Sequence, residues 1–324
     1  MHYRTLGKTD LSVSEIGYGT WGIGKSGWIG AKDKDSLVAL HRAIDLGLNF
    51  IDTALAYGEG HSEQLIGQVV RSRNERIYIA TKVPPKNKLL PAPAGVPAQE
   101  AFPGSHIVES TEQSLRNLGI DTIDIQQFHV WNDEWVGQGD WLETVQRLKE
   151  QGKIRFFGIS INDHQPWNAL RLIETGVVDT VEVIYNIFDQ SPEDELFPAC
   201  RQHNIGVIVR APLDEGGLTG RITPESTFDE NDFRSRYFRD DRKQEVYTRV
   251  QSIAADLGIS LDALSEIALR YILSNPVVST VIPGMRSARN VERNIALSDG
   301  YTLSPEQLQK LKKYRWVRDF YKKV

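Results

Sequence analysis

The stretch Phe50-Ile51-Asp52-Thr53-Ala54-Leu55-Ala56-Tyr57-Gly58 leaves an apolar run through an acid and reaches a tyrosine before the next helical pattern begins. A strand that ends on a carboxylate and hands a phenol to the following loop places chemistry at its carboxyl end. Two further runs end the same way. Ile77-Tyr78-Ile79-Ala80-Thr81-Lys82 stops on a lysine, and Ile123-Asp124-Ile125-Gln126-Gln127-Phe128-His129 stops on a histidine. In a closed parallel barrel such strand ends converge on one face, the face that carries active sites. Asp52, Tyr57, Lys82 and His129 are therefore the candidate catalytic residues.

Outward from this stretch, β-branched runs alternate with amphipathic segments. Strands are expected near Glu15–Gly19, Asn49–Asp52, Ile77–Lys82, Ile123–His129, Phe156–Ser160, Val181–Tyr185, Gly206–Arg210 and Val278–Ile282. Helices are expected at Ser36–Gly47, Ser62–Arg71, His106–Leu118, Asp140–Gln151, Pro166–Thr175, Pro192–His203, Ser260–Leu273 and Ala288–Leu297, several stopping at a glycine as helix ends do. Eight βα units without a linker-like break predict an α/β TIM (β/α)8 barrel, one domain over residues 1–324, preceded by a short β-hairpin around Gly7-Lys8-Thr9-Asp10. An open doubly wound sheet is the structural alternative. The segments Pro84–Gly104 and Leu213–Lys243 are too long for plain turns and leave the active face, so they are expected to be binding loops or lids, or else disordered.

Composition narrows the function. A net charge of -5 and 25% charged residues give no electrostatic footprint for nucleic acid, which leaves a small molecule as the expected partner. The single cysteine, Cys200, allows no internal disulfide and reads as a small buried hydrophobe. The opening Met1-His2-Tyr3-Arg4-Thr5-Leu6 lacks the apolar core of a signal peptide, and no stretch approaches a membrane span, so a cytoplasmic protein is expected. No metal-ligand spacing stands out, and the oligomeric state is not legible.

Gly17-Tyr18-Gly19-Thr20-Trp21-Gly22 fits the dinucleotide pattern G-x-G-x-x-G, but the fingerprint needs a helix N-terminus directly after it to receive the pyrophosphate. Loop-like Ile23-Gly24-Lys25-Ser26-Gly27 follows instead, so the glycines read as a strand-to-loop passage where backbone can approach a ligand. An ammonium about 4 Å from a phenol, at an effective dielectric of about 20, supplies roughly 4 kcal/mol, enough to bring Tyr57 toward working pH. Asp52 would then be the counter-ion of Lys82, and His129 a hydrogen-bonding partner for a substrate oxygen.

The chain resembles the aldo-keto reductases from end to end. The likeness is carried by Gly17–Trp21, Phe50–Ala54 with Tyr57-Gly58, Ala80-Thr81-Lys82, Leu118-Gly119 with Asp121–His129, Gly152-Lys153-Ile154-Arg155 with Gly158-Ile159-Ser160, Tyr185-Asn186, and Val281–Gly284 with Arg293-Asn294. The resemblance implies a barrel that binds NADPH and passes hydride to an aldehyde or ketone while Tyr57 protonates the oxygen, or runs the reverse on an alcohol. It implies that Lys82 tunes Tyr57, Asp52 pairs with Lys82, and His129 orients the carbonyl. Cofactor contacts are implied at Gly19, Thr20, Trp21, Asp52, Ser160, Asn162, Glu182, Arg210, Pro212, Leu213, Gly284, Arg286, Arg289, Arg293 and Asn294. Trp28, Trp131 and Trp135 are candidates for the wall of a substrate pocket.

Three departures stand out. Ile161 separates Ser160 from Asn162 where the family commonly has Ser-Asn. Glu182 replaces a common glutamine, and Arg210 an aromatic that often stacks on the nicotinamide. Glu182 and Arg210 are expected on adjacent strands, close enough to pair. Arg286, Arg289 and Arg293, at helical spacing, suggest a 2'-phosphate site. Two alternatives stay open: a cofactor-binding regulatory subunit of the same fold with little turnover, and a Schiff-base enzyme using Lys82.

Overall fold

A computed structural model of the protein describes residues 1–321. Strands β1 (Tyr3–Thr5) and β2 (Ser12–Ser14) form the antiparallel hairpin. Eight strands follow: β3 (Tyr18–Gly19), β4 (Phe50–Asp52), β5 (Tyr78–Val83), β6 (Ile123–Phe128), β7 (Ile154–Ser160), β8 (Thr180–Ile184), β9 (Gly206–Arg210) and β10 (Val278–Val281). They lie parallel in chain order. The two ends of the sheet meet where Gly17 N donates to the Val281 carbonyl at 2.8 Å and Gly19 N to that of Pro283 at 3.1 Å, which closes the barrel.

Because side chains alternate in and out along a strand, positions two apart face the same way. Phe50, Ala80, Ile125 and Ile208 fill one apolar layer of the interior with Leu6, Leu11 and Val13 of the hairpin, which plugs the amino-terminal end. The residues two steps on, Asp52, Lys82, Gln127 and Arg210, form the next layer. The plug demands one glycine: a Cβ on Gly7, whose φ is +56°, would lie 2.1 Å from the Gly206 backbone nitrogen. Outside the sheet, helices bury Ile44, Leu65, Leu118, Leu148, Leu196 and Leu269 against the outward-facing strand residues.

The expected strands are present with ends displaced by a few residues. The first shrinks most, to Tyr18–Gly19, with Ile16 bridging to Val281. The region after Arg210 is more structured than its loop-like composition suggested. It holds a short helix, Phe233–Tyr237, then a helix over Arg242–Leu257, beyond the eight expected, that buries Val246, Val250, Ile253 and Ala254. The segment Pro84–Gly104 is likewise ordered, with a helical turn at Ala98–Ala101. A last helix, Pro305–Lys312, is capped by Ser304 and Gln307, and residues 313–321 return toward the carboxyl-terminal face. Among the described residues no helix is long and apolar enough to cross a membrane, and no cluster of His, Cys, Asp and Glu could hold a metal ion.

Candidate active site

The carboxyl ends of the strands open into a cavity of about 670 Å³, a volume within the usual range for small-molecule sites. At its floor Lys82, fully buried, places Nζ 2.6 Å from each Asp52 oxygen, 3.0 Å from the Thr53 carbonyl and 3.1 Å from Glu182 Oε2. Burial would lower the Lys82 pKa, but the two carboxylates hold it above the ordinary lysine range. Gln127 Nε2 donates to Glu182 Oε2 at 2.8 Å and to Asp52 Oδ1 at 3.4 Å.

Tyr57 stands in the loop after β4 with its ring centre 5.4 Å from Lys82 Nζ and 5.6 Å from the His129 ring, which meets it edge-on. All four candidate catalytic residues are thus brought together. The Tyr57 hydroxyl makes no hydrogen bond to a described residue. Its acidity differs from the sequence expectation: burial, abetted by Asp52 and Glu182, outweighs the Lys82 ammonium and pushes the phenol above its ordinary pKa. Burial and the same ammonium depress His129 to about 3, so its imidazole is neutral, and Nδ1 is buried without a hydrogen-bond partner.

Glu182 and Arg210 do occupy neighbouring strands, but each has a nearer partner. Arg210 donates to Asp163 Oδ1 at 2.6 Å and to the Ile161 carbonyl at 2.8 Å, while its Nε lies 4.0 Å from Glu182. Asp163, beyond the end of β7, also accepts from the Tyr321 hydroxyl at 2.8 Å. Asn162 lines the cavity, yet its amide is committed to Ala92, whose backbone N–H and carbonyl it pairs at 3.0 Å each. The inserted Ile161 thus accompanies an amide turned to the Pro84–Gly104 loop.

Of the expected cofactor contacts, Gly19, Thr20, Trp21, Ser160, Pro212, Leu213 and Gly284 line the cavity wall, as does Trp28, which stacks under Arg234. Trp131 and Trp135 do not line it. They are 0% and 1% exposed, packed with Phe102, Phe128 and Trp141 beneath the Pro84–Gly104 segment, so their apolar surface serves the core. The arginine row also divides. Arg286 lines the cavity ahead of the helix at Ala288–Ile295, whose N-cap is Ser287, and donates to the Ile29 carbonyl at 2.8 Å. Arg289 and Arg293 lie exposed on that helix and, with Asn294, outside the lining; Asn290 faces the cavity instead. The break is the cap, which interrupts the helical spacing before Arg286 can join it.

Further residues that no sequence signal marks also line the cavity. Asp163, Arg221 and Tyr321 come from loops, Glu215 from the irregular 3-10 stretch Asp214–Thr219 and Phe233 from the first position of a five-residue helix, all too short or irregular to carry a periodic signal. Glu215, at φ +54°, is pushed up to about 8 by burial and by Asp214. Arg286 is held below its ordinary value by burial and by the nearby Arg234, a crowding of cations that an anion would relieve.

A family profile described as "Aldo/keto reductase family" matches residues 15–315. The chain is 31% identical over 315 residues to the aldo-keto reductase YhdN of Bacillus subtilis, covering 94% of this chain and 91% of that protein. It is 29% identical to an NADH-specific methylglyoxal reductase of Escherichia coli (90% and 91% covered) and 28% identical to a probable voltage-gated potassium channel subunit beta of Arabidopsis thaliana (92% and 92%). Among solved structures, the holo form of the aldo-keto reductase AKR11C1 from Bacillus halodurans superposes with a TM-score of 0.77 at 29% identity, covering 98% of this chain and 97% of that one. An aldo/keto reductase from Klebsiella pneumoniae in complex with NADP and acetate gives 0.70 at 26%, covering 98% of each.

Proposed function

The chain belongs to the aldo/keto reductase family, and on that footing we propose that it is an NADPH-dependent reductase of aldehydes or ketones, able to run the reverse on an alcohol. The observation that carries the reading is the floor of the cavity. A phenol hydroxyl without a hydrogen bond to any described residue stands over a buried ammonium, beside an imidazole that is neutral at physiological pH. Tyr57 is the general acid: it gives its proton to the substrate oxygen, which as an alkoxide is a stronger base than a phenolate. The Lys82 ammonium then stabilises the phenolate left on Tyr57. His129 donates a ring N–H to the carbonyl oxygen, orienting it without adding charge.

The lining fits an elongated, polyanionic cofactor. Gly19, Thr20, Trp21, Asp52, Ser160 and Arg210 would hold the nicotinamide end. Pro212, Leu213 and Arg221 would flank the pyrophosphate, and Gly284, Arg286 and Asn290 the adenosine end, where under-compensated guanidinium charge suits a 2'-phosphate. Bound there, NADPH supplies the hydride for the carbonyl carbon. Glu182, tied to Lys82 and Gln127, contributes to the floor rather than presenting a free amide-like contact. Solved relatives with NADP support this choice over NADH, although one relative carries an NADH-specific name.

The Schiff-base alternative is disfavoured by the engagement of Lys82 with two carboxylates and a carbonyl. The likeness to a channel subunit supports a second reading, a cofactor-binding regulator with slow turnover. Nicotinamide absorbance with a panel of sugars, aromatic aldehydes and ketones separates the two: many turnovers support the reductase, one stoichiometric oxidation the regulator. Tyr57→Phe should abolish turnover while leaving NADPH binding nearly intact, and wild-type rates in that variant would remove Tyr57 as the acid.

A further inference from the structure

The family resemblance pairs Lys82 with one acid, Asp52, and the barrel supplies two. Asp52 and Glu182 both touch Nζ, at 2.6 and 3.1 Å, and none of the three side chains is more than 2% exposed. The Gln127 amide bridges the acids from the β6 side. The other groups facing this cluster do not restore balance. Arg210, on β9, is bound to Asp163 at 2.6 Å and stands 4.0 Å from Glu182. Tyr57 and His129 are both uncharged at neutral pH. Arg210 and Asp163, 22% and 18% exposed in the cavity wall, compensate each other, which leaves one ammonium facing two carboxylates in the closed interior. An excess negative charge there is relieved at least cost by a proton, as when two carboxylates share one site.

We propose that Asp52 and Glu182 hold one proton between them, so that Glu182 serves beside Asp52 as a positioning residue for Lys82 and, through it, for Tyr57. The acidities agree in direction. Burial and the charge of Glu182 raise Asp52 above the carboxylate range. Burial would raise Glu182 too, but Lys82 and Arg210 hold it below. The single proton belongs to the pair, and the two acids titrate as a unit. Either acid can take over alone: in Glu182→Gln the Asp52 carboxyl ionises, and in Asp52→Asn the Glu182 charge remains. Only the double variant leaves the ammonium uncountered.

The functional half of this inference rests on Tyr57 being the acid, so the test has two arms. Infrared difference spectra of the cofactor-free protein at neutral pH should show a protonated-carboxyl band that both Glu182→Gln and Asp52→Asn lose. In the second arm, the pH dependence of kcat/KM for carbonyl reduction should keep its alkaline limb within about half a pH unit in each single variant. In the double variant the limb should fall by about one to two units, as the bare ammonium acidifies Tyr57. No band difference in either single variant overturns the shared proton, whether or not the double variant folds. An Asp52→Asn limb displaced as far as the double overturns the role of Glu182. Failure of the underlying reading looks different: Tyr57→Phe would keep its turnover while the band differences remained.

Discussion

Replacing Lys82 by methionine tests how the cavity floor is held together without involving any ligand. Methionine keeps much of the apolar stem but removes the ammonium that Asp52 approaches twice at 2.6 Å and Glu182 at 3.1 Å. Removing one partner of a buried ion pair costs about 3–5 kcal/mol, because the remaining charge has neither water nor counter-ion. With an unfolding entropy of about 2 cal/mol/K per residue over 324 residues, that is a fall of roughly 4–7 °C in Tm. The loss should depend on pH with a definite sign. The orphaned acids of the variant have folded pKa values raised well above their unfolded ones, so the native state binds more protons than the unfolded chain. Its stability therefore falls as pH rises from the unfolded carboxylate range, about 4, through the raised values. Thermal melts of wild type and Lys82→Met from pH 5 to 9 should diverge as pH rises. A Tm deficit that is absent, or the same at every pH, would refute the picture of Lys82 as the ion that makes two buried carboxylates tolerable.

Three further outcomes are expected. Arg286→Ala should weaken NADPH binding by about 1.5–3 kcal/mol per charged hydrogen bond lost and leave NADH nearly unchanged, whereas Arg289→Ala and Arg293→Ala should do little; fluorescence titration with both cofactors decides, and equal weakening of the two would place Arg286 elsewhere. Trp131→Ala should cost about 3–5 kcal/mol of stability with KM for small aldehydes little changed, so a large KM effect in a stably folded variant would return this residue to the pocket wall. Glu215, raised to about 8, is neutral below that pH and repels an anionic cofactor above it, so NADPH affinity should decline across pH 8 and Glu215→Gln should flatten the decline.

What the sequence disclosed follows the reach of each physical signal. Alternation along a strand is local and strong, so the run through Asp52, the lysine of β5 and the histidine after β6 announced both the barrel and the face on which its cavity opens. The helix at Arg242–Leu257 carries the same kind of signal, Val246, Val250, Ile253 and Ala254 at helical spacing, but its polar faces and position after a long loop hid it. The tryptophans after β6 show the limit of loop position as a guide. Trp131 and Trp135 follow a strand that ends on the cavity face, yet the ordered Pro84–Gly104 segment covers them, Val96 accepting from Trp135 Nε1 at 2.7 Å. A helix cap, decided by the backbone at Ser287, likewise separated Arg286 from the two arginines that share its spacing.

The pairing of charges was the least legible because adjacency along the sheet is a poor guide inside a closed barrel. Glu182 and Arg210 lie on neighbouring strands, and opposite charge invites joining them. Yet Lys82 sits on β5 and Glu182 on β8, three strands apart around the ring. In an eight-stranded barrel the interior is only wide enough for side chains to fill, and a lysine stem spans it. The contact at 3.1 Å therefore crosses the middle of the barrel. Arg210, with Glu182 already engaged by Lys82 and Gln127, turns to Asp163, which arrives from a loop with no periodicity to announce it. The glutamate that replaces a common glutamine thus acts first on Lys82 rather than on its neighbouring arginine. Its consequence has to be sought in the proton balance around Tyr57, where every buried charge on the ring counts, adjacent or not.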